Sequence, residues 1–279
     1  MNRQTVGRIT GAALLGGIVG NPVGHSLSPV IHNAWLEAGG IDGLYAAFAP
    51  RDAAGFEALA AAGRAGLIAG VNVTAPFKEQ AFALADEAGA AARATGSANI
   101  LVFEDGRIRA ESADGAGVLY ALAEQAPQLT LKGASVVILG AGGAARAGAG
   151  ALVEAGASLS ILNRTRERAE ALAADLGPAV SVAPDAGALE EADLVVNALS
   201  TTPDIGLERL KPSAVVMDMT YRPVVTPLLA AARARGLTTV DGLAMLIGQA
   251  APSFEAIFRR PPPALDLRAL LLAHLGEAA

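Results

Sequence analysis

Two α/β units built on mostly parallel sheets are predicted by three features of this chain. Extended apolar runs alternate with helical patterns, nine such runs are too many for one ordinary sheet, and 52% of the 279 residues are apolar, ample for sheets covered on both faces. The run at 14–19 suits a first buried parallel strand. Further strands are expected near Tyr45, Leu67 and Ile100, then near Val136, Leu159, Leu194, Val215 and Thr239, with helices in the intervals. The junction between units is placed near Asp114. Residues 1–113 then form the first unit and 114–241 the second, while 242–279 pack back on the first; PPP at 261–263 sets off a last helix over 265–275.

The most specific stretch is 136–168, VVILGAGGAARAGAGALVEAGASLSILNRTRER, which reads as strand, glycine turn, helix and second strand. Gly140 and Gly142 allow a tight turn and close approach of a pyrophosphate to the N-terminus of a helix from Gly143, with Ala145 as the third small position. A glycine fingerprint carries weight only in this context, after a β-branched run and before a helix. Specificity comes from the second strand's end. An acidic residue there usually bonds the adenosine ribose, whereas this strand runs into Asn163, Arg164 and Thr165. If Thr165 begins a helix, Arg164 and Arg168 reach one phosphate from one side, which favours NADP over NAD. The plain alternative is a solvated helix face of Arg166, Glu167 and Arg168.

Composition narrows the remaining classes. A net charge of -6 without a basic run gives neither a nucleic-acid footprint nor a polybasic membrane patch, so small molecules are the expected partners. Zero cysteines remove disulfides and thiolate catalysis and fit a cytoplasmic location, and three scattered histidines, His25, His32 and His274, are read as structural, with no metal site. Arg3 and Arg8 before the apolar stretch 9–20 resemble a secretion signal, but no small-x-small cleavage site follows, and no apolar run reaches the length of a membrane span.

Hydride delivery to a carbonyl leaves an oxygen that needs a proton. Lysine can exchange one where arginine cannot, and this chain keeps only Lys78, Lys132 and Lys211. Lys132 and Lys211 sit beside turn residues, whereas Lys78 lies in VNVTAPFK at 71–78. With Pro76 at the first helical position, Asn72 and Thr74 end a strand on one face and Lys78 follows in the first turn, where the helix dipole favours loss of its proton. A capping cluster with a surface lysine is the alternative. Earlier, GNPVGHSLSP at 20–29 places Ser26 and Ser28 in a glycine and proline loop. Ser28 before Pro29 is an ordinary N-cap signal, and the two hydroxyls together suit an anionic group such as a carboxylate at a helix N-terminus.

These segments, GNPVGHSLSP, GVNVTAPFKE, DGAGV, GAGGAAR, NRTRER, DMTYRPVVTPLL and DGLAMLIGQA, resemble in order the motifs of the shikimate dehydrogenase family, within the shikimate/quinate dehydrogenase superfamily. The resemblance implies an N-terminal α/β substrate domain and a C-terminal Rossmann NADP-binding domain flanking a cleft. It implies NADPH-dependent, reversible reduction of 3-dehydroshikimate to shikimate on the chorismate route to aromatic amino acids. It makes Lys78 and Asp114 the catalytic pair, Asp114 orienting Lys78 and accepting from a substrate hydroxyl. Ser26 and Ser28 hold the carboxylate, Asn72, Thr74 and Asn99 surround the ring, and Tyr221 and Gln249 close the pocket. Gly140, Ala141, Gly142, Gly143, Ala144 and Ala145 line the pyrophosphate; Asn163, Arg164, Thr165 and Arg168 hold the adenosine phosphate; Met245 lies near the nicotinamide. A monomer or homodimer is expected.

Two departures bear on the substrate. The family usually reads Val-Asn-Thr around the ring-binding Asn and Asn-Thr-Asp-Gly at the domain junction; here stand Ala98-Asn99-Ile100 and Ser112-Ala113-Asp114-Gly115. A hydroxyl missing at Ala113 removes a hydrogen bond worth on the order of 1 kcal/mol. The alternatives kept open are a paralogue acting on quinate or an aminoshikimate, an NAD-linked quinate enzyme, and a non-catalytic NADP(H)-binding module.

Overall fold

The computed structural model describes residues 9–277; Arg3 and Arg8 of the signal-like stretch lie outside them. The chain divides into two compact units, Met1–Ala113 with Ala250–Ala279, and Asp114–Gln249. The division falls inside one helix, between Gln249 and Ala250.

In the first unit the order is β1 (Leu14–Val19), α1 (Ser28–Ala38), β2 (Gly43–Phe48), α2 (Ala53–Arg64), β3 (Gly70–Val73), α3 (Lys78–Ala83), β4 (Glu87–Ala88), α4 (Ala90–Thr95), β5 (Ile100–Glu104) and β6 (Arg107–Glu111). One sheet has the order β2-β1-β3-β5-β6-β4. β1 pairs parallel to β2 and β3, but β5 runs antiparallel to both β3 and β6. The reason is local: Asp105 and Gly106 both take positive φ, 49° and 75°, which gives the tight turn that an Asp-Gly pair favours between antiparallel strands. Strands β4 and β6 were not anticipated. The strand expected near Leu67 starts at Gly70, because Gly66 (φ 83°) turns the chain there and leaves Leu67 exposed.

Alternation divides this sheet's faces. Val71, Val73, Leu101 and Phe103 join Phe56 and Phe77 in one buried cluster. Asn72 and Ile100 lie opposite each other in the β3–β5 ladder and so face the other side. The open edge of β2 is capped by a side chain: Asn33 of α1 accepts from the Tyr45 amide (3.0 Å) and donates to its carbonyl (2.8 Å).

The second unit runs α5 (Asp114–Gln125), β7 (Ser135–Leu139), α6 (Gly143–Glu154), β8 (Ser158–Leu162), α7 (Arg166–Leu176), β9 (Val180–Val182), β10 (Leu194–Asn197), β11 (Val215–Asp218), α8 (Pro227–Ala234), β12 (Thr238–Val240) and α9 (Gly242–Phe258), whose last turns return to the first unit with α10 (Leu267–Leu275). Its sheet, β12-β11-β10-β7-β8-β9, is wholly parallel, and β9 was the further strand not foreseen. Val136 and Ile138 pack into one core while Val137 and Leu139 pack into another, so β7 is buried on both sides. The strand order reverses between β7 and β10, and the switch point of such a sheet is where ligands bind. Among the described residues no helix is long and apolar enough to cross a membrane.

Candidate functional site

In the first unit the candidate residues sit at the C-terminal ends of β1 and β3 and the facing start of β5. Backbone bonds lace these ends together: Thr74 N–H to Val19 O (2.9 Å), Asn21 N–H to Ala75 O (3.1 Å) and Val73 N–H to Asn99 O (2.8 Å). Gly20 is required by closeness, since a Cβ there would lie 2.3 Å from Thr74 Cγ2. Ala98 N–H donates to the carbonyl of Lys78 (3.0 Å), so the first turn of α3 is tied to the entry of β5. Lys78, Thr74, Asn72 and Asn99 are thus positioned by one connected piece of backbone.

Two details differ from the sequence expectation. Ser28 is the first helical residue, not the cap; Leu27 precedes it without a side-chain cap bond, and Ser26 Oγ accepts from the Ser28 amide (3.2 Å). The Ser28 hydroxyl is buried against the Tyr45 phenol. Pro76 is not the first helical position either. It lies in the turn before α3, joined to Ala75 by a cis bond, and Lys78 itself opens the helix.

Asn72 and Asn99 are both buried. Asn99 Oδ1 accepts from the backbone N–H of Ala113 (2.8 Å), so the bond that fixes this amide does not depend on which side chain stands at 113. Ala98, Ile100 and Ala113 are each almost fully buried. The replaced threonine positions are therefore filled by packed apolar groups.

In the second unit, β7 ends in a turn that only glycine fits easily: Gly140 has φ 109°, and a Cβ there would approach Leu199 Cδ2 to 3.0 Å. Gly142 precedes α6 in an extended conformation, with no side-chain cap, and a Cβ added to it would meet nothing within 4 Å. The first amides of a twelve-residue helix thus have no side-chain cap, as a pyrophosphate site requires. Gly143 and Ala144 form the first turn, Ala141 is half-buried, and Ala145 packs fully into the core. Gly140 N–H bonds Leu162 O (2.9 Å), which holds the end of β8 beside the glycine turn.

The end of β8 departs from expectation in one respect. Thr165 precedes α7, which begins at Arg166, so Arg164 is outside the helix and its side chain is not set by helical spacing to Arg168. Arg164, Thr165 and Arg168 are exposed, while Asn163 donates to Thr165 O (2.7 Å) and shapes the turn. Arg166, by contrast, pairs with Glu170 (2.8 Å) along the helix surface. The residues present fit a phosphorylated adenosine: a glycine turn, uncapped amides and two exposed guanidinium groups with no carboxylate at the strand end.

Asp114 opens α5 and is buried. Gly117, three residues on and on the same face, lets α9 come close, since a Cβ there would lie 2.6 Å from Met245 O and 3.2 Å from Gln249 Cβ. Met245 and Gln249 thus pack on α5 one turn from Asp114. Tyr221 is half-buried in the loop after β11, and Gly242 admits that loop, with Met219 O 2.4 Å from its would-be Cβ. The loop is held from below by buried Asp218, which accepts from Asn197 Nδ2 (3.1 Å), Thr220 N–H (3.0 Å) and Thr226 Oγ1 (2.7 Å).

The residues that sequence reasoning missed act behind the site: Tyr45, Ser253, Gly117 and Asp218. DMTYRP marked the last, but nothing local marks Tyr45 or Ser253. Burial pushes the Tyr45 phenol well above its usual range, partly offset by Ser28. Burial also lowers His32 to about 3, and its ring stacks on Tyr45 with centroids 4.1 Å apart.

A family model described as the shikimate dehydrogenase substrate binding domain matches residues 18–101, and one described as shikimate / quinate 5-dehydrogenase matches residues 121–244. The chain is 49% identical over 281 aligned positions to the shikimate dehydrogenase (NADP(+)) of Caulobacter vibrioides strain NA1000 / CB15N, covering 96% of this chain and 98% of that protein. A crystal structure of shikimate 5-dehydrogenase from Thermus thermophilus in complex with NADP(H) and shikimate superposes with TM-score 0.81 at 36% identity, covering 90% of this chain and 95% of that one. The quinate dehydrogenase of Corynebacterium glutamicum in complex with NAD superposes with TM-score 0.84 at 30% identity, covering 94% and 99%.

Proposed function

The chain belongs to the shikimate dehydrogenase family, and on that premise we propose that it catalyses the NADP(H)-dependent, reversible reduction of 3-dehydroshikimate to shikimate. The observation that supports this best is the backbone-laced group of Asn72, Thr74, Lys78 and Asn99 in a unit that also presents Ser26 and Ser28. The first unit is the substrate-binding part and the second the NADP-binding part of this proposal.

Bound at the glycine turn, NADP(H) supplies or takes up the hydride. Gly140 to Ala145 hold its pyrophosphate by backbone amides, and Asn163, Arg164, Thr165 and Arg168 hold the adenosine phosphate. Met245 would line the nicotinamide site. Lys78 gives a proton to the ketone oxygen during reduction and removes it from the hydroxyl during oxidation. Asp114 accepts from a ring hydroxyl, and Asn72, Thr74 and Asn99 bind the ring. Ser26 and Ser28 hold the carboxylate, and Tyr221 and Gln249 complete the enclosure. A cytoplasmic monomer or homodimer is part of the same proposal, and sedimentation would decide the assembly.

The test follows NADP+ reduction at alkaline pH with shikimate and with quinate, for the protein and for Lys78→Ala. Oxidation of shikimate by the parent protein and its loss in Lys78→Ala are expected. Binding of NADP(H) without oxidation of either polyol would leave a cofactor-binding module, and a strong preference for NAD+ with quinate would move the chain to the quinate branch.

A further inference from the structure

The Asn72 side chain is held by three groups of the first unit. Tyr45 Oη donates to Asn72 Oδ1 (2.7 Å), while Asn72 Nδ2 donates to Ser253 Oγ (2.8 Å) and to the Asn99 carbonyl (3.2 Å). An asparagine amide has two N–H donors and two lone pairs on its oxygen. Both donors and one lone pair are used inside the protein, so what is left for a ligand is one lone pair on Oδ1. The orientation is enforced. The Asn99 carbonyl can only accept and so takes the nitrogen end of the amide, and the buried, protonated Tyr45 phenol donates to the oxygen end. Tyr45 is in turn fixed by the parallel His32 ring at 4.1 Å and by Asn33 on its backbone, and His32 is wedged by Trp35 and Phe254 at 5.7 and 5.8 Å.

We propose that Tyr45 is a positioning residue that locks the Asn72 amide with its oxygen alone available, so that Asn72 reads a donating hydroxyl of the substrate and discriminates against a carbonyl, ether or fluorine at that position. The inference rests on the assignment of Asn72 to the substrate site and adds to it the direction of the hydrogen bond and the residue that sets it. Removing the phenol hydroxyl leaves the bonds to Ser253 and Asn99 but takes away the donor that fixes Oδ1, so the amide loses one of its three anchors and its oxygen is aimed less well at a substrate hydroxyl.

The experiment measures steady-state oxidation of shikimate by the full chain and by Tyr45→Phe, Asn72→Ala and the double variant, with thermal melting of each. Tyr45→Phe is expected to raise KM for shikimate on the order of fivefold, the size of one buried hydrogen bond, with KM for NADP+ unchanged. In the Asn72→Ala background the same change should add nothing further, because Tyr45 acts through that amide. Fluorine in place of one ring hydroxyl should weaken binding to the parent and make no difference to Asn72→Ala. Unchanged KM for shikimate in Asn72→Ala would remove the site assignment itself. A raised KM there with no effect of Tyr45→Phe, or full additivity in the double variant, would overturn the positioning role alone. A Tyr45→Phe protein that melts earlier and loses affinity for both substrates would make the phenol a fold element only.

Discussion

The two units prepare their candidate residues in opposite ways. In the first, the candidate groups are buried side chains held by partners distant in sequence: Asn72 by the Tyr45 and Ser253 side chains, and Asn99 by the backbone amide of Ala113. In the second, the cofactor candidates are backbone amides at an uncapped helix start and exposed arginines on a turn. One region is organised by packing and the other by chain geometry. Substitutions in the first should act through neighbours that never touch the ligand, whereas in the second they should act where they are made.

The largest expected effect would break the contrast if absent. Lys78→Ala should lower turnover by about 10²- to 10⁴-fold while leaving NADP+ affinity within twofold, as stopped turnover and fluorescence titration of NADPH would show. Next is acid sensitivity of the first unit. His32 is held near 3 in the fold by burial and titrates near 6.5 when unfolded, so the unfolded chain binds the extra proton between those values. Stability is therefore full above pH 6.5 and falls as pH drops toward 3, by about 2 kcal/mol at pH 5 and on the order of 5 kcal/mol in all. Denaturant unfolding at pH 7 and pH 5 would measure it, and His32→Phe should flatten that part of the dependence.

A smaller effect belongs to the backbone-organised region. Gly140→Ala places a side chain at φ 109° and 3.0 Å from Leu199, which should cost about 1–3 kcal/mol in stability and weaken NADP+ more than shikimate. The smallest is expected at the exposed turn. Arg164→Ala with Arg168→Ala should raise KM for NADP+ by about tenfold and leave KM for NAD+ nearly unchanged, the direction expected if both guanidinium groups meet the extra phosphate. Equal losses for both cofactors would place the arginines elsewhere than on that phosphate.

How much could be read in advance follows the same division. The glycine turn was legible because strand, turn and helix are consecutive, and its reading needs only φ at Gly140 and the start of α6. The Asn72 to Lys78 segment was legible as a polar cluster, but its details were not. Pro76 was expected to open a helix and instead lies in a cis turn, and Ser28 was expected to cap one and instead begins it. Thr165 was expected within a helix that starts one residue later. Each of these turns on a shift of one or two residues in where the helix begins, and that is set by what the side chain finds in the folded protein, not by propensity. The β5–β6 hairpin carries a local signal, Asp105-Gly106, which specifies an antiparallel turn where the strand alternation alone suggests parallel strands.

The sequence by itself determined the alternation of strands and helices, the glycine turn with its basic tail, and the residue types available for proton exchange and carboxylate binding, because these depend on side-chain period and neighbours along the chain. Only the tertiary structure decided that Asn72 meets Tyr45 and Ser253, partners 27 and 181 residues away, and that the amide of Ala113 holds Asn99 whatever its side chain. Hydrogen-bond direction is a property of the whole set of donors and acceptors brought together, and that set exists only after the sheet and its covering helices have closed on one another.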